Sequence, residues 1–247
     1  AVVWQWRGPK DIDSSPLVVD GVLYVGGEDG NVKAFDPRTG TLLWKKRFGV
    51  GVGEKLGSGG IESSLAIKDG VAYFGHLDGH VRALRLKDQE LVWASKIGGD
   101  VDASPAIVED RVLIGSEASR GCFHCLDRAT GKKLWTAEIN GGCWSTAAHY
   151  DGRIYVGGNN GKMYCLDPKT GKVIWAYTAG AGIWASPTVV DGKVLFGSYD
   201  PQFRMLDAKT GSLMWQHDIG GRSHSGICAM NGKIWVGSGI GWYYCFG

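Results

Sequence analysis

The chain has 247 residues, with 27 Lys and Arg against 25 Asp and Glu, a formal charge of +2. It lacks the clustered basic footprint of a nucleic-acid-binding protein. Forty glycines without a G-X-Y period exclude collagen, and 44 % hydrophobic residues with 11 Trp exclude a disordered chain. No run of 18 apolar residues is present, so no membrane span is expected, and residues 1–8 carry no apolar signal-peptide core.

Taken in chain order, AVVWQW at the start reads as a short strand. From Ser14, the segment SSPLVVDGVLYVGGEDGNVKAFDPRTGTLLWKKRFG holds four short β-rich runs. They are separated by Asp-Gly, Gly-x-x-Gly and Asp-x-x-Thr-Gly turn signals, the pattern of antiparallel strands joined by tight turns. The same pattern returns from Ser63, Ala103, Ser145 and Ala185, and in a shorter sixth copy from His224. One Trp marks each unit, at Trp4, Trp44, Trp93, Trp135, Trp175 and Trp215, with spacings of 40, 49, 42, 40 and 40. No window of 11 or more residues follows a helical period, which excludes a (β/α)8 barrel.

Four strands per repeat of about 40 residues describe a propeller blade. The expectation is an all-β, six-bladed β-propeller with four antiparallel strands per blade. It forms a single domain over 1–247, with blades at 14–49, 63–98, 103–141, 145–180, 185–220 and 224–247 plus 1–8. The N-terminal strand closes the last blade, so that Trp4 pairs with the strand Trp242 to Phe246 and is buried, which removes a free edge.

Most recurrent residues have a structural reading. The six Trp belong on outermost strands, packed between blades. Asp36, Asp127, Asp167 and Asp207 bond their own backbone in the Asp-x-x-Thr-Gly turns. The second copy departs, with Arg85 at that position. Cys122 and Cys125 form C-F-H-C, but Cys125, Cys165 and Cys245 share one repeat position with Ala34 and Ala83, where a small buried residue is wanted. Residues three apart on a strand also point to opposite faces, so no metal or redox site is expected there. Cys143 and Cys228 follow no repeat and read as free buried thiols.

The phrase FDPRTGTLLW, repeated as LDRATGKKLW, LDPKTGKVIW and LDAKTGSLMW, resembles the repeat of the pyrroloquinoline-quinone-type β-propellers. That superfamily contains quinoprotein alcohol dehydrogenases and an outer-membrane assembly lipoprotein that acts as a scaffold. The resemblance covers essentially the whole chain. It implies the propeller fold and favours an extracytoplasmic or secreted location. Its best-known members have eight blades, against six copies here.

Function is sought where the copies differ. The residue leading into each first strand is Asp13, Glu62, Asp102, Trp144, Trp184 and His224 in turn. These lead residues are expected to surround one mouth of a central channel. The turn between second and third strands lies on the same face and adds Glu28, Leu77, Glu117, Asn159 and Tyr199. Arg222, Asp100 and Asp11 flank the set, and a long Gly-rich loop from Gly49 to Gly60 covers the same face. A purely structural position would repeat one residue type; here three carboxylates give way to two Trp and a His. One asymmetric site is therefore expected in place of six equal ones.

Three functions follow. The first is a non-catalytic binding propeller, expected to be a monomer, taking a cationic or polyhydroxylated small molecule or a peptide segment at the channel mouth. The second is an enzyme using His224 with Asp13, Glu62 and Asp102 for acid–base chemistry. A variant of it has the carboxylates holding Ca²⁺ beside a quinone stacked on Trp144 or Trp184. No adjacent Cys-Cys pair of that enzyme branch is present, and no cofactor is expected. The third is a pure scaffold.

Overall fold

The computed structural model describes residues 1–49 and 59–247, which form strands and turns with no helix among them. Six antiparallel sheets follow one another along the chain, as blades of a β-propeller. The first runs Leu17–Val19, Val22–Val25, Asn31–Phe35 and Leu42–Arg47, paired in chain order. Four-stranded sheets of the same order recur over 66–96, 106–137, 148–178 and 188–218. The turns explain the regularity. Asp20–Gly21, Asp69–Gly70, Asp151–Gly152, Asp191–Gly192 and Asn231–Gly232 have positive φ at both positions. That geometry matches the twist of the strands they join, and Asp, Asn and Gly tolerate it at least cost.

Second and third strands are buried along most of their length, and fourth strands alternate exposed and half-buried residues. The chain divides into two compact units, residues 1–112 with 126–133, and residues 113–125 with 134–247. In the first, Tyr24, Val32, Ile61, Phe74 and Leu84 build a shared core; in the second, Tyr155, Met163, Ile183, Phe196 and Leu206 do so.

Successive copies are locked together by the Trp of one and the Thr-Gly turn of the next. The indole N–H of Trp93 donates to Arg128 O, that of Trp135 to Pro168 O and that of Trp175 to Ala208 O, at 3.0–3.1 Å. Each ring lies on the turn glycine: a Cβ on Gly131, Gly171 or Gly211 would come within 2.6 Å of the indole. These glycines are thus required twice, for φ near +70° and for the ring above them. The turn Asp accepts the Thr N–H and hydroxyl, as in Asp167 with Thr170 at 2.8 Å.

A second lock lies at the opposite end of the repeat. The buried Ser14, Ser63 and Ser145 hydroxyls donate to the carbonyls of Gly26, Gly75 and Gly157 and accept the N–H groups of the same glycines. The next residue reaches the following copy: Ser15 N–H donates to Ser64 Oγ, Ser64 N–H to Ser104 Oγ, and Thr146 N–H to Ser186 Oγ.

The expected N-terminal strand is not formed. The sixth sheet has three strands, Cys228–Met230, Lys233–Gly237 and Tyr243–Phe246, and residues 1–8 lie in no strand. Trp4 is half-buried and makes the lock of its type with the Thr-Gly turn of the first sheet, donating to Pro37 O at 2.8 Å with its ring on Gly40. The indole is thereby satisfied without a strand partner. Lacking a fourth strand, the last sheet leaves Trp242 and Tyr243 exposed. Cys245, on the edge strand, is exposed, and so is Cys228, against the expectation that both are buried, while Cys122, Cys125, Cys143 and Cys165 are buried.

Candidate functional site

The position of each lead residue follows from two recurring backbone bonds. The first ties the turn between second and third strands to its own copy: Glu28 N–H donates to Asp11 O, Leu77 to Gly60 O, Asn159 to Gly142 O, Tyr199 to Gly182 O and Gly239 to Arg222 O. Each acceptor stands two residues before a lead residue. The second bond ties the residue before a lead residue to the preceding copy: Ile61 N–H donates to Gly27 O, Cys143 to Ser116 O, Ile183 to Gly158 O and Ser223 to Ser198 O. Together they set Glu62, Trp144, Trp184 and His224 each between its own turn residue and that of the preceding copy. A glycine before the turn makes room, since a Cβ on Gly26, Gly75, Gly115 or Gly157 would strike the next copy within 2.5 Å.

In the first unit this brings Asp13, Glu28 and Glu62 together, with a carboxylate oxygen of each within 4.8 Å of the others. Asp13 is exposed and the other two half-buried. Such hard oxygen donors suit Ca²⁺ or an organic cation, although Ca²⁺ takes six to eight oxygens. Glu28, a turn residue, stands in this group, whereas Asp102 does not. Asp11 contributes its carbonyl to the Glu28 N–H. Of the Gly49–Gly60 loop, residues 50–58 lie outside the described residues. Its two ends rest on buried His76, whose Nε2 donates to Phe48 O and whose Nδ1 accepts Asp78 N–H.

In the second unit the same bonds assemble an aromatic cluster. Trp184 lies 4.3 Å from Trp144 and 3.8 Å from Tyr199 between ring centroids, and Tyr199 lies 4.5 Å from His224. The Arg222 guanidinium sits 5.2 Å from the Tyr199 ring centre, within cation–π range. His224 and Arg222 are exposed; Trp144, Trp184 and Tyr199 are half-buried. Burial, and then the Arg222 charge, push the His224 pKa below the ordinary histidine value. That shift favours the neutral imidazole, which packs as a further ring against Trp184 and Tyr199.

Trp144 Nε1 and Asn159 Oδ1 are buried without a hydrogen-bond partner, a donor and an acceptor in reserve. Trp184 packs against Trp144, Tyr199 and His224 in tilted or edge-on contacts. Glu117 stands exposed, next to Ser116, whose carbonyl holds Cys143.

Sequence reading missed a set of ion pairs beneath the turns. Lys33 pairs with Asp29 at 2.6 Å, Arg82 with Asp78 at 2.5 Å and Arg204 with Asp200 at 2.6 Å, and all three cations are almost fully buried. The recurring Asp four residues before Lys or Arg in a hairpin is the signal that marks them. Beside Tyr199, Asp200 accepts from Arg204, Ser198 Oγ and Gly180 N–H. Burial alone would raise its pKa, but these bonds outweigh burial and hold it at about 2.

Comparison with known proteins gives concordant findings. A family model described as "Outer membrane protein assembly factor BamB" matches residues 1–142 and 119–239. Curated relatives with that name include those of Yersinia pestis, 50 % identical over 40 residues, and Escherichia coli, 40 % identical over 40 residues. Each match covers 16 % of this chain and 10 % of the relative. Among solved structures, BamB from Moraxella catarrhalis superposes with a TM-score of 0.78 at 19 % identity, covering 96 % of this chain and 72 % of that one. The quinohemoprotein alcohol dehydrogenase of Comamonas testosteroni reaches 0.66 at 20 % identity, covering 85 % and 43 %. At these identities the structures share the fold.

Proposed function

Because the chain belongs to the PQQ-repeat family described as outer membrane protein assembly factor BamB, we propose that it is a non-catalytic binding propeller. It docks an extended segment of another protein on the aromatic cluster of its second unit. The reading places the protein on the extracytoplasmic side, where outer-membrane polypeptides are assembled. One observation carries it: fold demands repeat from copy to copy, yet Trp144, Trp184, Tyr199 and His224 form a continuous row of rings with exposed Arg222 over Tyr199. Aromatic and Arg side chains are the residues that dominate binding energy at protein interfaces. The neutral His224 extends the row, and Arg222 supplies the only charge in it, suited to an acidic or carboxylate group of the segment.

A polyhydroxylated small molecule is the second reading, favoured by the unpaired Trp144 Nε1 and Asn159 Oδ1 beside the rings. Hydroxyl groups would satisfy both while their C–H faces stack.

The test uses an unfolded outer-membrane β-barrel polypeptide, diluted from urea over the immobilised protein. Trp184→Ala should weaken binding by about 2 kcal/mol, roughly thirtyfold. The variant should keep its melting temperature nearly unchanged, because the blade-locking Trp175 is untouched. Equal binding by the wild type and the folded variant would refute the protein-docking reading. A thermal-shift response to oligosaccharides that vanishes in the variant would favour the second.

A further inference from the structure

The four buried thiols divide unequally. Cys125 and Cys165 lie on third strands at one repeat position, whereas Cys122 and Cys143 meet across two copies. Ser116 holds both backbones: its N–H donates to Cys122 O at 2.8 Å, and its carbonyl accepts Cys143 N–H at 3.0 Å. The two side chains have no solvent exposure and their thiols are in hydrogen-bond contact, with Cys143 Sγ also 3.2 Å from Gly157 O.

The other combinations on single sheets are excluded by geometry. Cys122 and Cys125 are three residues apart in extended chain, so their Cα atoms are separated by about 10 Å. Cys228 and Cys245 both pair with Trp235, from opposite sides, so they are two strands, or about 9.6 Å, apart. A disulfide needs Cα atoms within about 7 Å.

We propose that Cys122 and Cys143 form a disulfide when the protein meets a disulfide donor, such as glutathione disulfide or an oxidised thiol–disulfide oxidoreductase. The bond pins the chain that carries Trp144, the neighbour of Cys143 and one ring of the aromatic cluster. Cys122 is the attacking sulfur, because it lies next to the exposed segment that ends at Arg120. The Cys122 thiolate attacks the donor disulfide and releases one donor thiolate. Cys143 then loses its proton and attacks the Cys122 sulfur, releasing the second. Two thiols are oxidised, the donor disulfide is reduced to two thiols, and both protons pass to the donor sulfurs. Because both thiols are buried, the donor reaches them during folding or on opening of the exposed Glu117–Arg120 segment. A bond between these sulfurs is independent of what the aromatic cluster binds.

The experiment uses the whole chain. Cys228 and Cys245 are first blocked with iodoacetamide in the folded, reduced protein. The protein is then held in glutathione buffers of graded potential, denatured and labelled with N-ethylmaleimide. Under reducing conditions the remaining four thiols take label. Under oxidising conditions two labels are expected to vanish, with a mass lower by two hydrogens and a linked pair of peptides containing Cys122 and Cys143. The melting temperature should rise by several degrees and fall back with dithiothreitol. Cys143→Ser should retain all three of its buried thiols under the same conditions; if it fails to fold, the wild-type peptide map decides. Four labels retained at the most oxidising potential, or a link through Cys125 or Cys165, would overturn the assignment.

Discussion

Gly171 and Gly152 separate two demands that the fold makes on glycine. Both lie in the fourth sheet's repeat with nearly equal backbone angles, φ +70° and +67°. A Cβ on Gly152 meets nothing within 4 Å, whereas one on Gly171 lies 2.5 Å from the Trp135 ring. Alanine at either site carries the left-handed strain of about 1–2 kcal/mol. At Gly171 it must also displace the indole, an overpacking cost of about 1–3 kcal/mol. The bond from Trp135 Nε1 to Pro168 O, 3.0 Å long, is then lost for about 1 kcal/mol more. Gly171→Ala should therefore cost about 3–6 kcal/mol in total, against about 1–2 kcal/mol for Gly152→Ala. By thermal unfolding the two variants should differ by roughly 5–10 °C. The double variant with Trp135→Ala should erase most of the difference, since the clash then has no partner. Equal destabilisation by Gly171→Ala and Gly152→Ala would show that the indole contact contributes nothing to the join between copies.

Acid unfolding should report the buried ion pairs. The Asp200 carboxyl is held at about 2, so its folded pKa lies below the unfolded value of 3.8. It contributes stability above pH 4 that is lost as pH falls towards 2, roughly 2 kcal/mol in all. Asp200→Asn should be less stable than the wild type at pH 7 and converge with it near pH 2 in urea titrations; parallel curves would refute the assignment. Ser63→Ala removes both bonds to Gly75 from a fully buried site and should cost about 1–3 kcal/mol by urea unfolding. A neutral result there would mean that water replaces the hydroxyl.

Much of this architecture is legible along the chain because each determinant is local and repeated. An Asp-Gly pair dictates its own turn, and a period of about 40 residues with one Trp per unit announces a blade. Repeat alignment also singles out Trp144, Trp184, Tyr199 and His224, because they depart from a repeat that holds elsewhere. The contacts among them then follow from backbone bonds that every copy makes. Glu28 shows the limit of such alignment. It is a turn residue, yet it joins Asp13 and Glu62, while Asp102, a lead residue, stays outside the group.

The sequence by itself determined the repeat period, the turn geometry and the residues that break the repeat, since these depend on neighbours a few positions away. Tertiary structure decided what each side chain meets in the next copy. Cys143 looks unattached along the chain and finds Cys122 only because Ser116 bonds both backbones. The AVVWQW segment has the pattern of a fourth strand, but Trp4 is satisfied by Pro37 and Gly40, and residues 1–8 join no ladder. A strand forms only where a second backbone lies about 4.8 Å away with unpaired N–H and C=O groups, and alternation along one segment carries no information about that partner.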